Sequence, residues 1–128
     1  MIGEFRRAVY DALGSTSLPV YQWLPDDVAH LPCHVVGRPA LRESGISAGL
    51  ATLELGVTLL GRRISDDDSQ AELDALADEL VKVLGGTRNR EVSGVHLRCV
   101  ALDPGTANVA GQDIPAYVAT VNTETLTC

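Results

Sequence analysis

Between residues 51 and 59 the side chains alternate: Ala51, Leu53, Leu55, Val57 and Leu59 are separated by Thr52, Glu54, Gly56 and Thr58. A two-residue period puts successive side chains on opposite faces of an extended chain. The segment Ala51–Leu60 is therefore expected to be a strand with one buried and one solvated face, of the kind found in antiparallel sheets. Its buried face needs a cover, and the chain supplies one downstream. Leu73, Leu76, Ala77, Leu80, Val81 and Leu84 recur at helical spacing, with Glu72, Asp74, Asp78 and Glu79 on the opposite side. A helix over Gln70–Leu84 follows, opened by a capping box of Ser69 and Glu72 and stopped by Gly85-Gly86.

The remaining elements fit around this pair. Ile2, Phe5, Val9 and Leu13 mark one face of a leading helix, Ile2–Leu13, and Gly14 ends it. Val20–Leu24, held between Pro19 and Pro25, reads as a short edge strand. Cys33–Arg38 reads as a strand closed by Gly37-Arg38-Pro39, and Ala40–Gly49 as a polar loop longer than a tight hairpin needs. Val95–Leu102 and Ile114–Thr123 read as the last two strands, separated by a loop from Asp103 to Asp113. The expectation is one α+β domain over residues 1–128. It has a mixed, mostly antiparallel sheet of four to five strands and two helices, in the order α-(β)-β-β-α-β-β, with helix packed on one face. A chain of 128 residues buries roughly two-thirds of its unfolded surface, enough to fold without disulfides or metal.

Charge and composition narrow the function. Seventeen acidic against ten basic residues give a net charge of −7, which repels a phosphate backbone and argues against sequence-specific nucleic-acid binding. The same sign suits the wall of a channel through which DNA slides. With one Trp, one Phe and three Tyr, no stacking platform for single strands is evident. No apolar run reaches the roughly 18 residues of a membrane span, and Met1–Arg7 does not have the pattern of a signal peptide. Cys33, Cys99 and Cys128 cannot all pair with one another, so reduced thiols in a cytoplasmic setting are expected.

Several residue groups carry possible chemistry, and each has a plainer reading. His30 with Cys33 and His96 with Cys99 offer zinc-ligand types. On a strand, however, residues three apart face opposite ways, so buried or interface thiols are expected instead. Cys33 and His34 diverge for the same reason, and no third residue orients them as a nucleophile and base. Asp66-Asp67-Asp68 sits where a helix start favours negative charge, and no calcium-loop glycine or distal Glu follows. Phosphate-loop, dinucleotide and nucleophile-elbow patterns are missing. Neither a catalytic residue, a metal nor a cofactor is expected. The basic clusters are Arg38 with Arg42, Arg62-Arg63, and Arg88 with Arg90. They read as solvated turns or as partners for acidic patches on neighbouring copies, a role that suits guanidinium and a head-to-tail ring.

The layout as a whole carries a resemblance. It comprises a leading helix, the Pro-rich stretch Pro19 to Pro32, a polar loop, the alternating strand Ala51–Leu60 and the Leu/Ala helix Gln70–Leu84. Closing strands containing Ile114-Pro115-Ala116-Tyr117-Val118-Ala119-Thr120-Val121 complete it. Over nearly the full chain this resembles the tail-terminator (tail-completion, head–tail joining) family of siphophages. The resemblance implies a structural protein of the virion, assembled in the bacterial cytoplasm. Such a protein forms a homo-oligomeric ring, usually of six, on the head-proximal end of the tail tube. Its implied partners are other copies of itself, the tail tube protein and a head-completion or neck protein. DNA passes its lumen without sequence-specific binding, and no membrane is involved. Extended loops make the contacts in that family. The matching candidates here are Arg38, Arg42 and Glu43 in one loop and Asp103, Asn108 and Asp113 in the other, joined by Arg62 and Arg63 among the basic turns. A head-closure or connector protein would share these features. A small binding or regulatory domain, with a pocket between helix and sheet, is the reading from another class. A thiol or zinc enzyme using His30, Cys33, His96 and Cys99 is a third.

Overall fold

Helix α1, Ile2–Leu13, buries Phe5, Ala8, Val9, Ala12 and Leu13 along one stripe, as the spacing predicts. Gly14 does not end it through a left-handed turn. The Ser15 and Thr16 hydroxyls instead donate to the carbonyls of Ala12 and Leu13, each at 2.8 Å, pairing groups that a helix end leaves open. The computed structural model describes residues 2–23, 31–43, 50–62, 67–86 and 90–126. Within them follow β1 (Val20–Tyr21), β2 (Cys33–Val36), β3 (Ala40–Glu43) and β4 (Leu50–Leu60). After these come α2 (Asp67–Val83), β5 (Arg90–Val92), β6 (Val95–Val109) and β7 (Gln112–Leu126).

The fold is α+β, but the sheet has seven strands, in the order β1-β2-β4-β7-β6-β5, with β3 beside β4. Four to five were expected. β2 pairs with the end of β4 (Val36 opposite Val57) and β3 with its beginning (Leu41 opposite Leu53), so both occupy the edge of β4 that faces away from β7. All pairings are antiparallel except β1 with β2.

The extra strands have local causes. Ala40–Glu43 was expected to be loop, yet its backbone finds the free edge of β4. Asp103–Asp113 was also expected to be loop, with Pro104 and Gly105 as the breakers. Instead β6 and β7 run to a two-residue turn at Ala110-Gly111, where both residues have positive φ. Positive φ at both positions is the geometry that closes a tight hairpin with the natural strand twist. Pro104 is accommodated because, among the described residues, β5 covers β6 only at Val95–Leu97, leaving the rest of β6 as an edge. A matching turn at Ser93-Gly94 joins β5 to β6, and the Ser93 hydroxyl donates to Asp11 at 2.6 Å, tying that hairpin to α1. The capping box is also corrected: α2 starts at Asp67, so Ser69 lies within the helix. Gly85-Gly86 does end it, with the Gly86 amide reaching back to the Val81 carbonyl at 2.8 Å.

One face of the sheet carries the main core. Leu53, Leu55, Val57 and Leu59 of β4 meet Phe5, Val9 and Leu13 of α1 and Leu73, Ala77, Leu80 and Leu84 of the second helical segment. Each fully buried aliphatic side chain contributes about 1.5–3 kcal/mol relative to exposure, which makes this layer the main support of the fold. The other face holds a smaller cluster: Cys33, Val35, Leu60, Val109, Ile114 and Ala116. These come from the sheet itself, which curls to bury them. The register shift between Cys99 and Ala101 in β6 supplies a bulge of the kind that bends a strand.

Candidate assembly surface

The curled sheet leaves unlike edges exposed. On one side lies β3, four residues long; on the other lies β6, which beyond Leu97 has no strand on the side away from β7 among the described residues. An uncovered strand presents unpaired amides and carbonyls to any chain that can align with it. Among the described residues, two of the four exposed large apolar side chains lie on these edges. Leu41 is 50% exposed on β3 and Val100 is 44% exposed on β6, while Trp23, at 76%, lies just after β1. Ile2, at the free end of α1, is the other.

The charged candidates divide between the two sides. Arg38 is exposed in the segment that joins β2 to β3. Arg42 and Glu43 stand on β3 opposite Thr52 and Ala51, on strand and not in the expected loop. Asp103 is exposed on β6, paired with Val118. Asn108 and Asp113 face each other near the hairpin tip, the Asn108 amide donating to Asp113 Oδ1 at 3.5 Å, while the Gly111 amide donates to Asn108 Oδ1 at 3.2 Å. This pair shapes the turn. Arg62 lies 3.7 Å from Glu72, both well exposed; Arg63 lies outside the described residues. β4 and β7 separate the β3 group from the β6 group by three strand spacings, about 14 Å. Among the described residues, the β3 and β6 candidates therefore lie on two separate edges.

The cysteines also diverge. Cys33 belongs to the small cluster and Cys99 to the main core, on opposite faces of the sheet, and His96 is exposed. His30 and Cys128 lie outside the described residues. Burial pushes the Cys33 thiol up to about 11. It also raises Cys99, opposed by a hydrogen bond from Cys99 Sγ to the Ala101 carbonyl. Raised thiols are poor nucleophiles and poor metal ligands at neutral pH. Among the described residues no three His, Cys, Asp or Glu side chains come together to hold a metal, and no helix is long and apolar enough to cross a membrane.

One groove, of about 460 Å³, is lined by residues that the sequence did not single out as one site. Leu18, Pro19, Tyr21, Leu31, Pro32 and Leu76 line it, and Ser17 and the Arg62–Glu72 pair add polar groups. Its residues come from four separated stretches, which is why no sequence motif announced it. His34, next to this region on β2, is buried with neither ring nitrogen hydrogen-bonded, and burial lowers its pKa to about 4.

No protein-family model matches this sequence, and no characterised protein is significantly similar to it.

Proposed function

We propose that this chain is a structural subunit of the siphophage tail-terminator type. It would form a closed ring of six copies that ends the tail tube and joins it to the neck. The observation that carries this reading is the pair of unlike sheet edges, β3 and the outer part of β6, each bearing an exposed apolar residue. Two different complementary surfaces on one small domain make a head-to-tail contact, and such contacts close into rings when the rotation allows. The helix-strand order of the family layout is consistent with this, and the net charge of −7 suits a lumen that DNA crosses without sticking.

Light scattering on the purified protein tests the proposal. A ring of six has a mass of roughly 82 kDa, six times the 13.6 kDa chain, and negative-stain images should show a central hole. Capping of isolated tail tubes, with an end to further tube growth, would distinguish a terminator from a head-closure or connector ring. A monomer that also fails to cap tubes would overturn the reading. The groove beside Tyr21 and Leu76 would then favour a small binding domain, since concave apolar sites with a few polar groups are the usual form of ligand pockets.

A further inference from the structure

The strand registers specify how two copies can meet. On the helix-side face, Val36, Val57, Ala119 and Leu102 form one row across β2, β4, β7 and β6. The row stops at Leu102, half-buried at the edge. At the opposite edge Leu41 shares that face, because it pairs with buried Leu53, yet it is half exposed. The strands β3, β4, β7 and β6 alternate in direction. A second copy brought alongside by rotation about an axis parallel to the strands therefore presents its β3 antiparallel to this copy's β6. The usable stretch of β6 runs from the bulged residue, Val100, to Asp103, and stops at Pro104, which lacks an amide donor. Its three regular residues, Ala101–Asp103, together with bulged Val100 equal in length the four residues of Ala40–Glu43.

We propose that β3 of one copy adds as a strand to β6 of the next, with Leu41 seated beside Leu102. This rests on the self-assembly reading and names its surface. The pairing extends the apolar row from one copy into the next and covers the half-exposed Leu41. It sets Ala40 opposite Asp103 and Glu43 opposite Val100. The stagger it needs, relative to a level continuation of the sheet, is the kind that closed sheets require. Main-chain hydrogen bonds supply the attraction and the side-chain row fixes the register.

Two single variants, Ala40→Cys and Asp103→Cys, each made in a Cys128→Ser background, test it. Directly opposite residues in an antiparallel pair hold their Cβ atoms about 4.5–5.5 Å apart, near enough for a disulfide after small adjustment. Mixed and oxidised, the two variants should give a covalent dimer containing one of each, at least about tenfold above either variant alone, since only the mixture pairs the two sites. Amide exchange at Val100–Asp103, apart from any position already slow in the monomer, should slow further on assembly. Assembly by light scattering without the mixed disulfide or added protection would overturn this pairing while leaving self-assembly standing. A chain that stays monomeric at every concentration and gives no mixed disulfide would overturn both. Leu41→Arg supplies a second arm: it should abolish assembly with the circular dichroism spectrum unchanged, and an intact assembly would count against the pairing.

Discussion

The Gly37 amide donates to the Gly56 carbonyl at 2.8 Å, and a Cβ on Gly37 would stand 3.0 Å from that same oxygen. This contact sits at the corner where β2 leaves the edge of β4 and β3 takes its place. The neighbour is backbone within a strand, so it cannot turn aside as a flexible side chain would.

Gly37→Ala should therefore destabilise the chain by about 1–2 kcal/mol, in the middle of the range for single substitutions. Urea denaturation will show this as a lower midpoint with an unchanged slope. Gly3→Ala, where an added Cβ meets nothing within 4 Å, should leave the midpoint in place or raise it.

His34 predicts a pH dependence. Burial lowers its pKa in the folded chain to about 4 from 6.5, so the unfolded chain binds more protons between those values. Stability is then fully present above pH 6.5 and falls as the pH drops toward 4. His34→Leu should remove that part of the slope. It should be at least as stable as the parent at pH 7, because neither ring nitrogen has a partner to lose. Thermal melts of both proteins at pH 5 and pH 7 will check this: the gap between them should widen at pH 5.

The buried thiols should be silent. With Cys33 pushed up to about 11 and Cys99 also raised, alkylation of either at pH 8 should be slow in the folded protein and fast in denaturant. Mass spectrometry of peptides after a short iodoacetamide pulse measures both directly. Rapid labelling of Cys33 in the native state would contradict its placement under the curl of the sheet.

Arg90 and Arg62 should differ. Arg90 Nη1 donates to the Val83 carbonyl at 2.7 Å, at the end of α2, where a cation meets the negative end of the helix. Arg90→Ala should cost about 1 kcal/mol in a denaturation experiment. Arg62→Ala should change stability by less than about 0.5 kcal/mol, since its contact with Glu72 is long and exposed on both sides.

The elements with strong periodicity were legible in advance. The alternation from Ala51 to Leu59 and the stripe from Leu73 to Leu84 record which side of each element is buried, and both found each other in the core. The divergence of His96 and Cys99 followed from strand geometry alone. Short β3 and β5 were missed because so few residues carry no period; they are strands only because β4 and β6 offer them an edge. Pro104 and Gly105 misled for a related reason. They oppose a central strand, and nothing local reveals that this part of β6 is an edge.

Taken alone, the amino-acid sequence determined the α+β class, the two helices, the faces of the central strand and the acidic charge balance. Those properties depend on side-chain period and on counts of charge, both local to the chain. Tertiary structure decided the number of strands, the curl that buries Cys33 with Ile114, and the two edges that carry Leu41 and Leu102. Each of these depends on which backbones lie side by side and which are left without a neighbour. Hydrogen-bonding edges look alike in any extended segment until the fold has paired some and left others open.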